Sequence, residues 1–121
     1  MRNLLLLITL GSVLFACKPE PKSEVDTSQL LGNWRLSEAT KNGNPTVMLG
    51  ELYFTFDENG GMDTNMPTAD EKSEYTLSGS TIEQRGENTN NDYQIESLTD
   101  NELILTTKVQ NLDFRLVLNK E

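Results

Sequence analysis

From residue 30 to the end of the chain, short segments alternate between apolar and polar side chains and are separated by turn residues. The clearest segment is residues 52–56, in which one leucine and two phenylalanines alternate with tyrosine and threonine. A period of two places neighbouring side chains on opposite faces of a strand, so one face is buried and the other is solvated. Helical periodicity is limited to a single turn around Ser28–Leu31. The domain is therefore predicted to be all-β.

Eight such segments follow one another along the chain, each about six to eight residues long. Turns are predicted at Lys41–Pro45, Asp57–Gly61, Ser78–Ser80 and Thr99–Asn101, and a longer polar loop at Arg85–Asp92. Strands joined in sequence by short connections form an antiparallel meander, and closing the meander removes its free edges. The prediction is a small eight-stranded antiparallel up-and-down β-barrel, with a β-sandwich as the alternative.

The interior of this barrel is predicted to be crowded, because most of its inward-facing side chains are large. These residues are Trp34, Leu36, Leu52, Phe54, Phe56, Met62, Met66, Tyr75, Leu77, Ile82, Tyr93, Ile95, Leu103, Leu105, Phe114, Leu116 and Leu118. An eight-stranded barrel is either filled by its own side chains or just able to hold one small ligand. The prediction is an interior filled at one end, with a shallow pocket at the other.

Met62, Met66 and Tyr75 are the candidate wall of that pocket. Methionine adapts to ligands of irregular shape, and this part of the chain borders the polar loop at Pro67–Lys72. The alternative is that both methionines only fill the core.

The amino-terminal residues have the order of a secretory signal peptide. One cation, Arg2, precedes an apolar run, and the small residue Ala16 stands directly before the only cysteine, Cys17. The run of about 12 apolar residues is shorter than the ~20 needed for a membrane span. The sequence Leu-Phe-Ala-Cys resembles the lipobox of bacterial lipoproteins. That resemblance implies diacylglyceryl attachment to the Cys17 sulfur, cleavage before Cys17 and acylation of the new amino terminus.

Three regions are therefore expected. They are a cleaved signal peptide at 1–16, a lipidated Cys17 with a flexible tether at 17–29, and the barrel domain at 30–121. An ordinary secretory signal with a chance cysteine is the alternative for the first region. A lone cysteine in an exported protein forms no internal disulfide, so lipidation accounts for its presence.

Composition excludes several classes of function. Removing residues 1–16 leaves 105 residues with nine basic and nineteen acidic side chains, which argues against nucleic acid as a partner. The chain has no histidine and its one thiol is assigned to the anchor, so the common catalytic pairs and histidine metal sites are excluded. No enzymatic activity, no cofactor and no metal site is expected.

The domain resembles a lipocalin-like domain of the small lipoprotein type found in Gram-negative, Bacteroidota-type cell envelopes. Gly32 and Trp34 are similar to the Gly-x-Trp signature of the lipocalin first strand, in which the tryptophan plugs one end of the barrel. Thr99 and Asp100 are similar to the first two residues of the Thr-Asp-aromatic motif between the sixth and seventh strands, and Asn101 departs from the aromatic residue. The resemblance also implies a cation–π contact between Arg115 on the last strand and Trp34.

The residues themselves leave two of these assignments open. Asp100 is interpreted as a turn residue whose carboxylate accepts from nearby backbone N–H groups, in preference to a catalytic group. Arg115 lies on the opposite alternation phase to Phe114 and Leu116, so it faces solvent unless a bulge shifts the strand.

Two functions of different classes are consistent with the sequence. The first is a lipid-anchored envelope protein, held in the outer membrane, whose barrel binds a small apolar molecule. The second is an envelope interaction or structural protein with a filled barrel and no ligand. Membrane attachment through lipid is expected in both, since two or more acyl chains anchor stably whereas an acidic surface is not attracted to anionic head groups.

Overall fold

A computed structural model describes residues 26–121 of the chain, which form one short helix and nine strands. Helix α1 spans Thr27–Leu30. The strands are β1 (Gly32–Lys41), β2 (Asn44–Thr46), β3 (Tyr53–Phe56), β4 (Gly61–Thr64), β5 (Lys72–Ser78), β6 (Thr81–Gly86), β7 (Thr89–Leu98), β8 (Glu102–Val109) and β9 (Leu112–Lys120). The predicted signal peptide, the lipidation site Cys17 and the tether up to residue 25 lie outside the described residues. No helix within residues 26–121 has the length and apolar character that crossing a membrane requires.

Eight of the described strands close into an antiparallel barrel. β1 and β3 to β9 pair in chain order, and β1 also pairs with β9 along Trp34–Lys41, which joins the two ends of the sheet. The predicted all-β, eight-stranded antiparallel barrel is confirmed. Helix α1 corresponds to the predicted helical turn, and it begins inside the segment assigned to the tether.

The strand β2 is additional to the eight predicted strands. It was not expected, because residues 41–45 were predicted to form a turn. Asn42 and Gly43 both have positive φ angles, 53° and 86°, as a two-residue hairpin turn with the twist of its strands requires. The chain therefore continues as a strand, and Asn44–Thr46 pair with Ala39–Lys41. Proline has no N–H to donate to a neighbouring strand. Pro45 is tolerated here because β2 is an edge strand, which pairs on one side only among the described strands.

The prediction of a polar loop at Arg85–Asp92 is wrong. β6 and β7 extend through it in register, and only residues 87 and 88 form the turn between them. Both faces of this segment carry polar residues. The alternation of apolar and polar side chains that predicts a strand is therefore absent from it. Thr89 is nevertheless buried, and its hydroxyl oxygen accepts a hydrogen bond of 2.7 Å from the Asp70 N–H.

β1 contains an irregularity that changes which side chains face the core. Its register with β9 shifts between Leu36 and Glu38, which marks a β-bulge. As a result Ala39 is buried and Glu38 is exposed, although strict alternation from Trp34 would place Glu38 inside.

The barrel interior is filled mainly by the predicted apolar residues. All of the predicted inward-facing side chains are buried except Leu36, Leu77 and Ile95, which are partly buried and pack against the core. Aromatic rings occupy its centre in edge-to-face pairs: the ring centroids of Phe54 and Tyr93 are 5.4 Å apart. Such pairs add to the stability gained from burying the rings.

One buried polar side chain in the interior is hydrogen-bonded by its neighbours. The buried amide of Gln84 accepts a 2.8 Å hydrogen bond from the Tyr93 hydroxyl and donates one of 2.9 Å to Ser73 Oγ. Burial raises the pKa of Tyr93, so its hydroxyl stays protonated and remains a donor. The network lets three neighbouring strands, β5, β6 and β7, carry polar groups inward at low cost.

Candidate functional site

The connections between strands lie at two opposite ends of the barrel. The end that we call the closed end carries α1 and the turns at residues 57–60, 79–80 and 99–101. The end that we call the open end carries the loops at residues 47–52, 65–71, 87–88 and 110–111.

Trp34 closes the first of these ends. Its side chain is wholly buried, and its indole N–H donates a 2.8 Å hydrogen bond to the carbonyl oxygen of Leu30 in α1. Leu30 is itself fully buried. The helix is held in position at its start by the Asp26 carboxylate, which accepts from the Ser28 N–H at 3.0 Å. The indole and α1 together seal this end of the barrel.

The cation that lies over Trp34 is Lys120, so the contact expected from Arg115 is wrong. The Lys120 ammonium is 4.7 Å from the ring centroid and donates a 2.8 Å hydrogen bond to the Leu31 carbonyl. Arg115 faces outward, as its alternation phase indicates, and its guanidinium binds Glu96 at 2.9 Å.

Lys120 reaches the indole because it continues the inward phase of Leu116 and Leu118 and pairs directly opposite Trp34. Gly32 makes room for it, since a Cβ at Gly32 would lie 2.9 Å from Lys120 Cε. Gly32 also has a φ of 122°, which favours glycine.

The turn at Thr99–Asn101 is built by Thr99 rather than by Asp100. The Thr99 hydroxyl oxygen accepts from the N–H groups of Asn101 at 3.3 Å and Glu102 at 3.0 Å. This is the role that the sequence interpretation gave to the Asp100 carboxylate, and that interpretation is wrong. Asp100 is exposed at the surface of the closed end.

At the open end the barrel contains an apolar cavity of about 120 Å³. The side chains that define its walls are Met48, Leu49, Met66, Thr68, Leu112 and Phe114. Among the described residues that line it, none is acidic or basic. The cavity is therefore suited to binding a small apolar molecule, and its walls offer no acid–base pair for catalysis.

The wall that contains Met66 is held rigidly by the loop between β4 and β5. The Met66 N–H donates to Thr64 Oγ1 at 3.1 Å, and the Met66 carbonyl accepts from the Ala69 N–H at 3.1 Å. Asp70 then accepts a 2.9 Å hydrogen bond from the Asn88 N–H. That hydrogen bond lowers the pKa of Asp70, so the carboxylate stays ionised and the loop stays pinned at neutral pH.

Of the three residues predicted to form the pocket wall, Met66 lines the cavity, whereas Met62 and Tyr75 lie elsewhere. Met62 is buried against the core, and the Tyr75 hydroxyl donates to the Asp57 carbonyl at 3.1 Å, at the closed end. Burial raises the pKa of Tyr75. The separation follows from geometry, since four residues of extended chain place Met62 and Met66 about 13 Å apart.

The opposite wall comes from the loop between β2 and β3, which the sequence analysis did not connect with the pocket. Met48 and Leu49 lie in a turn closed by a 3.1 Å hydrogen bond from the Gly50 N–H to the Val47 carbonyl. The Val47 side chain is 93% exposed and that of Met48 is 58% exposed. Two adjacent apolar residues in an exposed loop are the sequence signal that could have identified this wall.

A larger concavity, about 530 Å³, lies on the outer wall of the barrel. It forms where β7 and β8 separate beyond the pair Gln94 and Thr106, and a 2.8 Å hydrogen bond from the Thr107 hydroxyl to the Asp92 carbonyl crosses the gap. The groove is broad and open to solvent. Its charged side chains are already paired, for example Lys108 with Asp113 at 3.2 Å. We therefore place the candidate site in the apolar cavity at the open end.

The chain matches the protein family described as "Lipocalin-like domain" over residues 30–105. No curated protein is similar enough in sequence to count as a match. The matched segment runs from Leu30 of α1 to Leu105 of β8 and contains the Met66 wall of the cavity. It ends before β9, the strand that closes the barrel and carries Phe114 and Lys120.

Proposed function

Because this chain belongs to the lipocalin-like domain family, we propose that it binds a small apolar molecule in the cavity at the open end of its barrel. The observation that carries the proposal is the contrast between the two ends. The closed end is sealed by Trp34 and α1, whereas at the open end the apolar walls of Met66, Leu112 and Phe114 enclose free volume.

The size of the cavity restricts the ligand. Pockets for drug-sized molecules begin at about 300 Å³, and an apolar cavity of about 150 Å³ holds benzene. A volume of about 120 Å³ is slightly smaller and therefore fits a molecule of about five or six non-hydrogen atoms. A larger ligand would require the loop that carries Met48 and Leu49 to move outward.

A second candidate function has an observation of its own. The interior is filled, and Val47 and Met48 expose apolar side chains beside the open end. An interaction protein that used this loop to contact another envelope protein would need no ligand. Ligand binding is preferred because the cavity is apolar, is lined from three separate loops and lies at the end of the barrel opposite Trp34.

The same proposal includes the location of the protein. We place it in the cell envelope, attached by lipid on Cys17 to the outer membrane and separated from the membrane by the tether. It acts there by binding rather than by catalysis, and without a cofactor. The amino-acid pattern at residues 1–17 supports this part of the proposal.

A titration with benzene, followed by NMR of ¹³C-labelled methionine methyl groups, tests ligand binding. We expect saturable shifts of the Met48 and Met66 signals, because both side chains line the cavity, and an unshifted Met62 signal. Free benzene is quantified in each sample, so that uptake by lipid or detergent does not distort the binding curve. Saturable shifts confined to Met62, or none at all, would contradict the proposed site.

A pair of variants in one loop controls for indirect effects. Leu49→Trp places a large ring at the cavity wall and should abolish the shifts of Met66. Val47→Trp adds the same ring at a side chain that is 93% exposed, and it should leave the titration unchanged.

A further inference from the structure

The loop between β2 and β3 carries an apolar surface that the rest of the described domain leaves uncovered. Val47 and Met48 are the only large apolar residues within 26–121 whose side chains are exposed. They are adjacent in the chain, and Met48 also lines the cavity. Apolar side chains grouped at one place on a surface are typical of a contact with a protein or a membrane.

The loop is held in this conformation by its own hydrogen bonds. The Met48 N–H donates to Thr46 Oγ1 at 3.2 Å, and the Gly50 N–H donates to the Val47 carbonyl at 3.1 Å. A folded turn therefore presents Val47 to its surroundings, and this exposure requires no opening of the barrel.

The segment around these two side chains is uncharged, although the domain as a whole is acidic. No residue from Asn42 to Gly50 is acidic or basic. The carboxylate of Glu51, which follows, lies 3.6 Å from the Arg35 guanidinium, so its charge is offset. Acidic residues that anionic head groups would repel are exposed at the closed end, for example Glu58 and Asp100. The loop therefore approaches a bilayer without bringing a charged side chain of its own to it.

The position of the loop on the barrel places it within reach of the membrane that anchors the chain. The loop leaves β2 beside Ala39 and returns to β3 beside Leu36. It therefore lies about 13–23 Å along β1 from the closed end, where the tether joins the domain. Residues 17–25 span at most about 30 Å. The tether separates the lipid from the barrel, but it is long enough to let this loop touch the same bilayer.

The extent of the apolar surface favours a bilayer over a protein partner. A specific protein–protein interface buries about 1,200–2,000 Å², which is far more than two side chains provide. A lipid-anchored protein is already held at its membrane, so the effective concentration of lipid is high and a weak contact is sufficient.

We propose that Val47 and Met48 rest on the bilayer that anchors the protein. Because Met48 lines the cavity, this contact places the cavity against the lipid. An apolar molecule dissolved in the bilayer then enters the cavity without crossing water. The contact rests on the proposed lipid anchor, and the route of the ligand rests on the proposed function.

Paramagnetic broadening of methionine methyl signals tests the contact. The chain from Cys17 onward has one thiol and three methionines. It is coupled through Cys17 to a maleimide phospholipid in phosphatidylcholine nanodiscs, to which phosphatidylcholine with a nitroxide on its acyl chain is added. We expect the signal of Met48 to be lost by broadening and that of Met62, which is buried in the core, to be retained.

A pair of serine variants assigns the contact to the apolar side chain. Val47→Ser should lower the ratio of docked to free molecules by about tenfold, because the burial of one valine is lost, so the Met48 signal should return. Asn44→Ser changes an exposed polar side chain of the same uncharged segment and should leave Met48 broadened. Neither residue lines the cavity.

Equal broadening of Met48 and Met62, or a Met48 signal that stays lost in Val47→Ser, would overturn the proposal. Broadening of Met48 only after native membrane proteins are added would overturn it in favour of a protein partner. A benzene titration of the same samples separates the two claims. Shifts of Met66 without docking would overturn the contact alone, whereas docking without those shifts would support the contact and contradict ligand binding.

Discussion

Replacing Trp34 by alanine is expected to lower the free energy of unfolding by about 3–5 kcal/mol. The indole is wholly buried, and its removal leaves a cavity at the closed end. The carbonyl of Leu30 also loses the 2.8 Å hydrogen bond from the indole N–H, and α1 loses the surface on which it packs. Since domains of this size are stable by only about 5–15 kcal/mol, the variant should be close to unfolded at physiological temperature. Urea unfolding followed by circular dichroism measures the change.

Three further variants separate the contributions that the indole N–H and the cation over the ring make to stability at the closed end. Trp34→Phe keeps an aromatic ring but loses the N–H, so it should cost less than alanine. Lys120→Met removes the cation over the ring and should cost about 0.5–1 kcal/mol. Arg115→Met is the matched control, because its guanidinium pairs with Glu96 on the outer face. A loss of less than about 1 kcal/mol in Trp34→Ala, or equal losses in the two methionine variants, would contradict this account of the closed end.

Replacing Cys17 by serine is expected to abolish incorporation of labelled palmitate and to leave an uncleaved precursor. The proposed lipid attachment begins with a thioether bond to the cysteine sulfur, which serine lacks, and the proposed cleavage and acylation depend on that step. Metabolic labelling, a gel shift and fractionation of membranes measure the three consequences together.

Ser23→Cys in the Cys17→Ser background is the control for this experiment. It restores one thiol to the chain, but six residues beyond the lipobox position. Labelling should therefore remain absent. Label that persists in Cys17→Ser would show that the anchor is assigned to the wrong residue, and label that returns with Ser23→Cys would show that any exposed thiol is modified.

The barrel could be predicted from the sequence because burial of one face imposes a period of two on each strand. Phe54 and Phe56, or Leu116 and Leu118, carry that period with large apolar side chains. The start of β7 could not be predicted in this way, because its inward residue Thr89 is polar and is satisfied by a backbone N–H from another loop. A contact between distant loops does not change the local alternation of apolar and polar residues, so the alternation does not predict it.

The residues at the two ends were harder to predict for the same reason. The inward position of Lys120 could have been predicted, since this residue continues the apolar phase of β9. A charged residue is, however, usually assigned to solvent. Met66 lines the cavity at the open end, whereas Met62, which the sequence analysis grouped with it, is buried elsewhere in the core.

Native mass spectrometry of the protein purified from its own membrane tests the central claim most directly. We predict that the wild type carries a neutral adduct with a mass on the order of 100 Da, as the cavity volume requires. Leu49→Trp should lack this adduct, and Val47→Trp should retain it. Repeated absence of any adduct from the wild type, or an adduct that Leu49→Trp still carries, would contradict ligand binding at the open end.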